Sequence, residues 1–423
     1  MKISNHQLGL PGALLLLGIG AAYGCREPAS SDQGVQPEAP SLEEASLPRY
    51  ERFGYYLAHA RYDESFQIKD IATTGMAGRL TVLAYGFGGI DPSTLTCSAS
   101  NAVAPDDLGQ LEKLKAQFPH LKVVLSLGGR TAGELFSDIA ATDASRKQFV
   151  ASCVDLYIKG AATGIFDGFD IVWQWPASAD KVNHALLLQE LRRQLDEAAG
   201  GSRYLLTALL PADPAKIAAG IDTASVFQAV DFGNVQAFDF HGPWEPTRTS
   251  HHAQLSATSS APTPVSAQLS GDSALIAYVS AGVERSRLTL GLPLYGYGWT
   301  GVCTPGLENG LFQAATGVAP GTPTQPGTAP VKELLRQFAP KQLERGDLAH
   351  DPKDQLAYDP IAIAAYGYDG STFWSFDDAR IIQGKASYIQ DAGLRGAMLW
   401  SLDGDDGSLV HVLDEALDAP PAN

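Results

Sequence analysis

The stretch Asp167-Gly-Phe-Asp-Ile-Val-Trp-Gln-Trp-Pro176 holds the side chains whose types and spacing could do chemistry. The two-residue period of a strand puts Asp170, Val172 and Gln174 on one face and Phe169, Ile171 and Trp173 on the other. The first face therefore presents a carboxylate, an aliphatic group and an amide. An amide donates and accepts hydrogen bonds but gives up no proton near neutral pH, so position 174 recognises polar groups without supplying a general acid. Asp239, Asp170 and Glu245 are the carboxylates nearest by sequence position that could act in place of one. The pair His251-His252 is weak evidence for a metal, because adjacent residues rarely aim at one ion. The chain has no CxxC and no His/Cys ligand spacing, so neither a metal nor another cofactor is expected.

These side chains need a rigid frame, and the chain supplies one from Tyr50 onward. Short β-rich runs alternate with helical stretches: 53–57, 80–86, 121–128, 168–173, 204–209, 234–238, 288–293 and 396–401. Eight such runs predict a closed (β/α)8 barrel of the α/β class, a TIM barrel. Between them, Leu108, Leu111, Leu114 and Phe118 follow Pro105 at helical spacing, and Leu187, Leu188, Leu191 and Leu195 stripe a second helix. Arg192, Arg193, Asp196 and Glu197 on that second helix are read as a solvated face. Two connections are too long for plain crossovers, 243–271 and 300–372. The second predicts a small α+β insertion between strands seven and eight, leaving 50–299 and 373–423 to the barrel.

Ahead of the barrel, Lys2, an apolar run from Leu8 to Ile19 and the small residues before Cys25 read as a signal peptide over 1–24. An acidic, Ser/Pro-rich tether follows over 25–49, which favours lipidation of Cys25 and an exported protein held at the cell envelope or secreted. Cys97, Cys153 and Cys303 remain. A Cys97 to Cys153 bridge is one reading, and Cys153 as a core residue beside Phe149 is the other. The formal charge of −17 disfavours nucleic acid and anionic lipid, leaving a lipid anchor as the expected link to a membrane and a neutral ligand as the expected partner. All six tryptophans, Trp173, Trp175, Trp244, Trp299, Trp374 and Trp400, belong to strand ends or long connections, and as a group they predict a stacking surface at one rim.

The stretch from Asp167 resembles the DGxDxDxE motif of glycoside hydrolase family 18, the chitinases and their relatives. Further matches follow in order: Gly54-Tyr55-Tyr56, Ser126-Leu127-Gly128-Gly129, Asp239-Phe240-His241-Gly242, Gly291 to Gly296 and Trp400-Ser401. Phe376-Asp377-Asp378, with Lys385 downstream, resembles the segment that returns from the family's insertion domain. The resemblance implies substrate-assisted hydrolysis of N-acetylglucosamine polymers, with a Glu protonating the leaving oxygen.

That Glu is Gln174 here, the middle Asp of the motif is Val172, and the Tyr that holds the acetamido oxygen is Phe238. The Met two residues before that Tyr is Gln236, and Arg130 replaces a Trp frequent in active relatives. By the same resemblance Trp400 forms the floor of a sugar subsite, Tyr55 and Phe87 its walls, and Asp170 and Asp239 its retained polar groups, with Trp244 and Gln174 also facing ligand. The expectation is a chitinase-like protein that binds chitin or another N-acetylglucosamine-containing glycan without cleaving it, with no catalytic residues at Val172, Gln174 and Phe238. Two rivals stand beside it: a hydrolase using another carboxylate, and a barrel kept as a scaffold for protein contacts.

Overall fold

In a computed structural model the described residues are 49–63, 65–98, 103–160, 162–201, 203–258, 268–302, 309–322, 324–339 and 355–419. The leader, Cys25, nearly all of the tether and Cys303 lie outside them. Eight parallel strands close into a barrel in chain order: Glu51–Leu57, Val82–Gly88, Lys122–Gly128, Gly168–Val172, Leu205–Leu210, Phe232–Val235, Leu288–Pro293 and Gly396–Trp400. Each expected run overlaps one of these strands. The sixth starts earlier than expected and ends at Val235, so Gln236, Ala237 and Phe238 leave the barrel wall as irregular backbone at its C-terminal mouth.

The alternation read from the fourth strand sorts its side chains as expected. Phe169, Ile171 and Trp173 join the large core between barrel and helices. Val172 joins a separate cluster inside the barrel with Phe53, Val82, Val124, Leu209, Phe232 and Met398. Helix Pro105–Gln117 opens with Pro in its first turn, and helix Lys181–Ala198 buries Leu187, Leu188, Leu191 and Leu195. Arg192 corrects the solvated-face reading. It is buried, its guanidinium donating to Asp231 at 2.7 Å and to the carbonyls of Ala229 and Tyr204, because it flanks the apolar stripe and its stem runs along the core.

A second, antiparallel sheet follows the seventh strand, with Tyr295–Thr300 paired to Phe373–Phe376, then Ala364–Tyr368 and Leu356–Asp359. Its two outer limits, Tyr295 and Phe376, lie outside the expected 300–372 range, because only Leu294 separates the seventh strand from Tyr295–Thr300. Helix Val331–Phe338 packs on this sheet, and Asp378 caps helix Ala379–Ala392, which returns the chain to the barrel. The loop from Thr249 to Leu255 is buried, with the His252 amide donating to Ser375. A disulfide joins Cys97 and Cys153, whose Cα atoms are 4.9 Å apart, so of the two readings the bridge is the one formed.

Candidate functional site

Parallel register sets a polar layer inside the barrel. Ser126 pairs with Asp170 and Asp170 with Thr207 on three adjacent strands. Asp170 has no exposure, and three hydroxyls donate to it: Tyr55 at 2.7 Å, Ser126 at 2.9 Å and Thr207 at 2.6 Å. The Asn234 side chain lies close by, its Oδ1 accepting from Thr289 at 2.7 Å. Burial pushes the Asp170 carboxyl up, while these donors oppose the shift. Tyr55 is likewise fully buried. Of the expected ligand contacts, Tyr55 and Asp170 are therefore spent on one another beneath the site, since an unpaired carboxylate at that depth would be costly.

One layer nearer the mouth, Val172 and Phe238 belong to the same apolar cluster, with Phe87, Trp175, Tyr295 and Trp400 packed against it. Phe238 meets Tyr295 edge to face, with ring centroids 6.1 Å apart. Two glycines let these walls approach. A Cβ on Gly128 (φ 113°) would lie 2.3 Å from the Val172 carbonyl oxygen, and one on Gly129 (φ 78°) 2.7 Å from the Phe87 ring.

Across this apolar floor runs a chain of polar groups. Gln174 Nε2 donates to Gln236 Oε1 at 2.8 Å, and Gln236 Nε2 donates to Asp239 Oδ2 at 2.8 Å. The Tyr295 hydroxyl donates to Asp239 Oδ1, and Tyr297 stands near enough to lower the carboxyl's pKa. Asp239 (φ 62°) stands in the left-handed region at the turn out of the sixth strand. Burial raises its pKa, and Tyr295, Tyr297, Gln236 and the nearby positive charge of Arg130 oppose that rise. Gln236 is the link of this chain, accepting from Gln174 and donating to Asp239. In sequence it is legible only as a replaced Met, because its partner Gln174 comes from the exit of the fourth strand, 62 residues away.

The tryptophans do not act as one group. Trp173 is buried against Phe136 and His184, at centroid distances of 5.4 Å and 5.5 Å. Trp299 is buried in the second sheet, its indole N–H donating to the Glu245 carbonyl at 2.9 Å, and Trp374 is packed in the large core. These three correct the expectation of a six-member stacking surface, because outward strand positions and sheet interiors face core. Trp175, Trp244 and Trp400 keep exposed surface. Trp400 lies on Tyr55 (4.5 Å between centroids) and near Phe87 (6.3 Å), while Trp244, 55% exposed, stands edge-on to Tyr297 at 5.4 Å.

Arg130 is exposed after the third strand, within electrostatic reach of Asp239. Glu245 is half exposed and paired with His241 Nδ1 at 2.6 Å. His251 and His252 point to different partners: His251 Nε2 faces Asp359 at 3.3 Å, whereas His252 packs on Tyr295 and Tyr297. Asp377 and Lys385 form a buried ion pair, and Lys385 also donates to the Ala253 carbonyl at 2.7 Å. Three peptide bonds at the mouth are cis: Gly86-Phe87, Gln174-Trp175 and Trp400-Ser401.

Residues 51–405 match the model of the glycosyl hydrolases family 18. The chain is 31% identical to Chitinase A1 of Niallia circulans over 86% of its own length, an alignment that spans 58% of that protein. Among solved structures, the catalytic domain of psychrophilic chitinase B from Arthrobacter TAD20 superposes with a TM-score of 0.77 at 34% identity, covering 89% of this chain and 97% of that one. A Glu-to-Gln mutant of a class V chitinase from Nicotiana tobaccum, in complex with NAG4, superposes with a TM-score of 0.72 at 27% identity, covering 88% and 99%.

Proposed function

Since the chain belongs to glycosyl hydrolase family 18, we propose that it binds chitin or a related N-acetylglucosamine-containing glycan across the barrel mouth without hydrolysing it. The observation that carries this reading is the contact between Gln174 and Gln236, two amides where cleavage needs a proton donor. Val172 and Phe238 add only apolar surface beside them. The aromatic surface of Trp400, Trp175 and Trp244 stays available for stacking on sugar rings. That the Nicotiana mutant holds NAG4 supports oligosaccharide binding by a family 18 chain with Gln in place of a Glu.

A second reading, hydrolysis by another carboxylate, draws on Asp239, whose raised pKa suits an acid. Its two oxygens are already engaged by Tyr295 and Gln236, which weighs against it. The same proposal includes export by a signal peptide over 1–24 and lipidation of Cys25, with the barrel held at the cell envelope or secreted.

The test is binding of chitooligosaccharides together with an assay for their cleavage, on the purified chain and on Trp400→Ala. Binding without product, weakened at least about 10-fold by Trp400→Ala, is expected for a stacked sugar. Cleavage that survives Gln174→Ala and is lost in Asp239→Ala would establish the second reading instead. Absence of binding to any glycan would sink the first.

A further inference from the structure

The turn out of the third strand sets a charge on the rim of the aromatic surface. Gly128 (φ 113°) and Gly129 (φ 78°) bend the chain there, and Arg130 follows on the four-residue helix Gly129–Ala132. The Gly129 backbone lies against the Phe87 ring, and Phe87 borders Trp400 at 6.3 Å between centroids. Arg130 also acts electrostatically on Asp239 and Tyr297, which come from the turn after the sixth strand and from the second sheet. Segments on both sides of the opening thus feel one guanidinium.

That guanidinium is exposed, and among the described residues it makes no hydrogen bond and no ion pair. Glu134, one turn on, does not pair with it, Glu245 is taken by His241, and Asp239 already accepts from Tyr295 and Gln236. With 47 acidic against 30 basic residues the chain has carboxylates to spare, yet none of the described ones neutralises this cation. Stacking decides which part of a ligand would meet it. A sugar ring laid face-down on Trp400 turns its equatorial substituents outward in the plane of the ring, toward the rim where Phe87 and then Arg130 stand. A planar guanidinium has five donors and no acceptor, and a carboxylate answers it with two parallel hydrogen bonds.

We propose that Arg130 makes this mouth a site for an acidic glycan: an N-acetylglucosamine-containing chain in which a stacked sugar carries a carboxylate, on an ether side chain or on the ring itself. This rests on the glycan-binding reading and adds to it the charge of the recognised sugar. The net charge of −17 still disfavours densely charged polyanions such as nucleic acid. The match is to one carboxylate at contact distance, where the pair is screened less than the more distant charges of the surface.

Titration calorimetry on the purified chain compares two acidic probes, each with its methyl ester. One is the tetrasaccharide of alternating N-acetylglucosamine and N-acetylmuramic acid, whose carboxylate hangs on a lactyl ether. The other is the hyaluronan tetrasaccharide, whose carboxylate is on the ring. Esterification removes the charge and keeps the sugar skeleton, and chitotetraose is the neutral reference. At least one acid should bind about 5-fold or more tighter than its own ester at low salt, and the preference should shrink in about 0.5 M salt. The pair that shows the preference identifies where the carboxylate sits. In Arg130→Gln the ratio should fall to about 1, while Arg130→Lys should keep part of it, since the charge persists without the bidentate fork.

Thermal melts of both variants identify any loss of fold, and the wild-type ratio needs no variant. Equal affinity for acid and ester in both pairs would overturn the inference while leaving glycan binding intact. A preference unchanged in folded Arg130→Gln would overturn the role of Arg130. Failure of the wild-type chain to bind either acid, either ester or chitotetraose would instead remove the functional reading beneath it.

Discussion

The Tyr55 hydroxyl donates to Asp170 Oδ2 at 2.7 Å inside the barrel, and neither residue has solvent exposure. Two positions that the family resemblance assigns to the sugar thus form an internal brace under Trp400. Tyr55→Phe keeps the ring that supports Trp400 and removes one donor from a buried carboxylate. A loss of about 1–3 kcal/mol in urea unfolding is expected, with chitooligosaccharide affinity changed less than about 3-fold. A large loss of affinity at unchanged stability would show that Tyr55 touches ligand after all.

Acid should weaken the fold through His184. This residue is buried against Trp173 with its Nδ1 unpartnered, and burial pushes its pKa down to about 4 from an ordinary 6.5. Above the unfolded value both states hold the imidazole neutral, and its contribution is complete. As pH falls from about 6.5 toward 4 the unfolded chain takes up a proton that the folded chain refuses, so stability declines. The full step is about 3 kcal/mol. His251 and His252, also lowered by burial, act in the same direction. Urea midpoints at pH 7 and pH 4.5 should differ less in His184→Leu than in the wild-type chain, and equal differences would refute the assignment.

Reduction of the Cys97 to Cys153 bridge should cost about 2–4 kcal/mol, given a closed loop spanning 56 residues. The bridge ties the short hairpin of Ile90–Asp91 and Thr96–Cys97 to helix Asp143–Cys153. A melting temperature lowered by reductant, and matched by Cys97→Ser without reductant, is the expected result. An unchanged melting temperature after complete reduction, verified by thiol titration, would contradict it.

Some of this protein is written locally in its residues. Strand alternation around Asp170 and the leucine stripe of helix Lys181–Ala198 are short-range periodicities, and they carry the barrel without reference to distant residues. The absence of an acid at position 174 is equally local, being a matter of one side chain's chemistry. Other features exist only where remote segments meet. Arg192 reads as exposed until Asp231 and the Ala229 carbonyl arrive from elsewhere, and Trp173, Trp299 and Trp374 read as ligand platforms until core closes over them.

Gln174 shows the division most clearly. Its sequence position excludes proton donation, but the direction in which its amide points depends on Gln236 and Asp239, and through Asp239 on Tyr295 of the second sheet. Residue type fixes what a side chain is able to donate or accept. Which of those capacities remains for a ligand is decided by the partners that tertiary folding has already assigned, because each buried donor or acceptor must be satisfied before anything is left over.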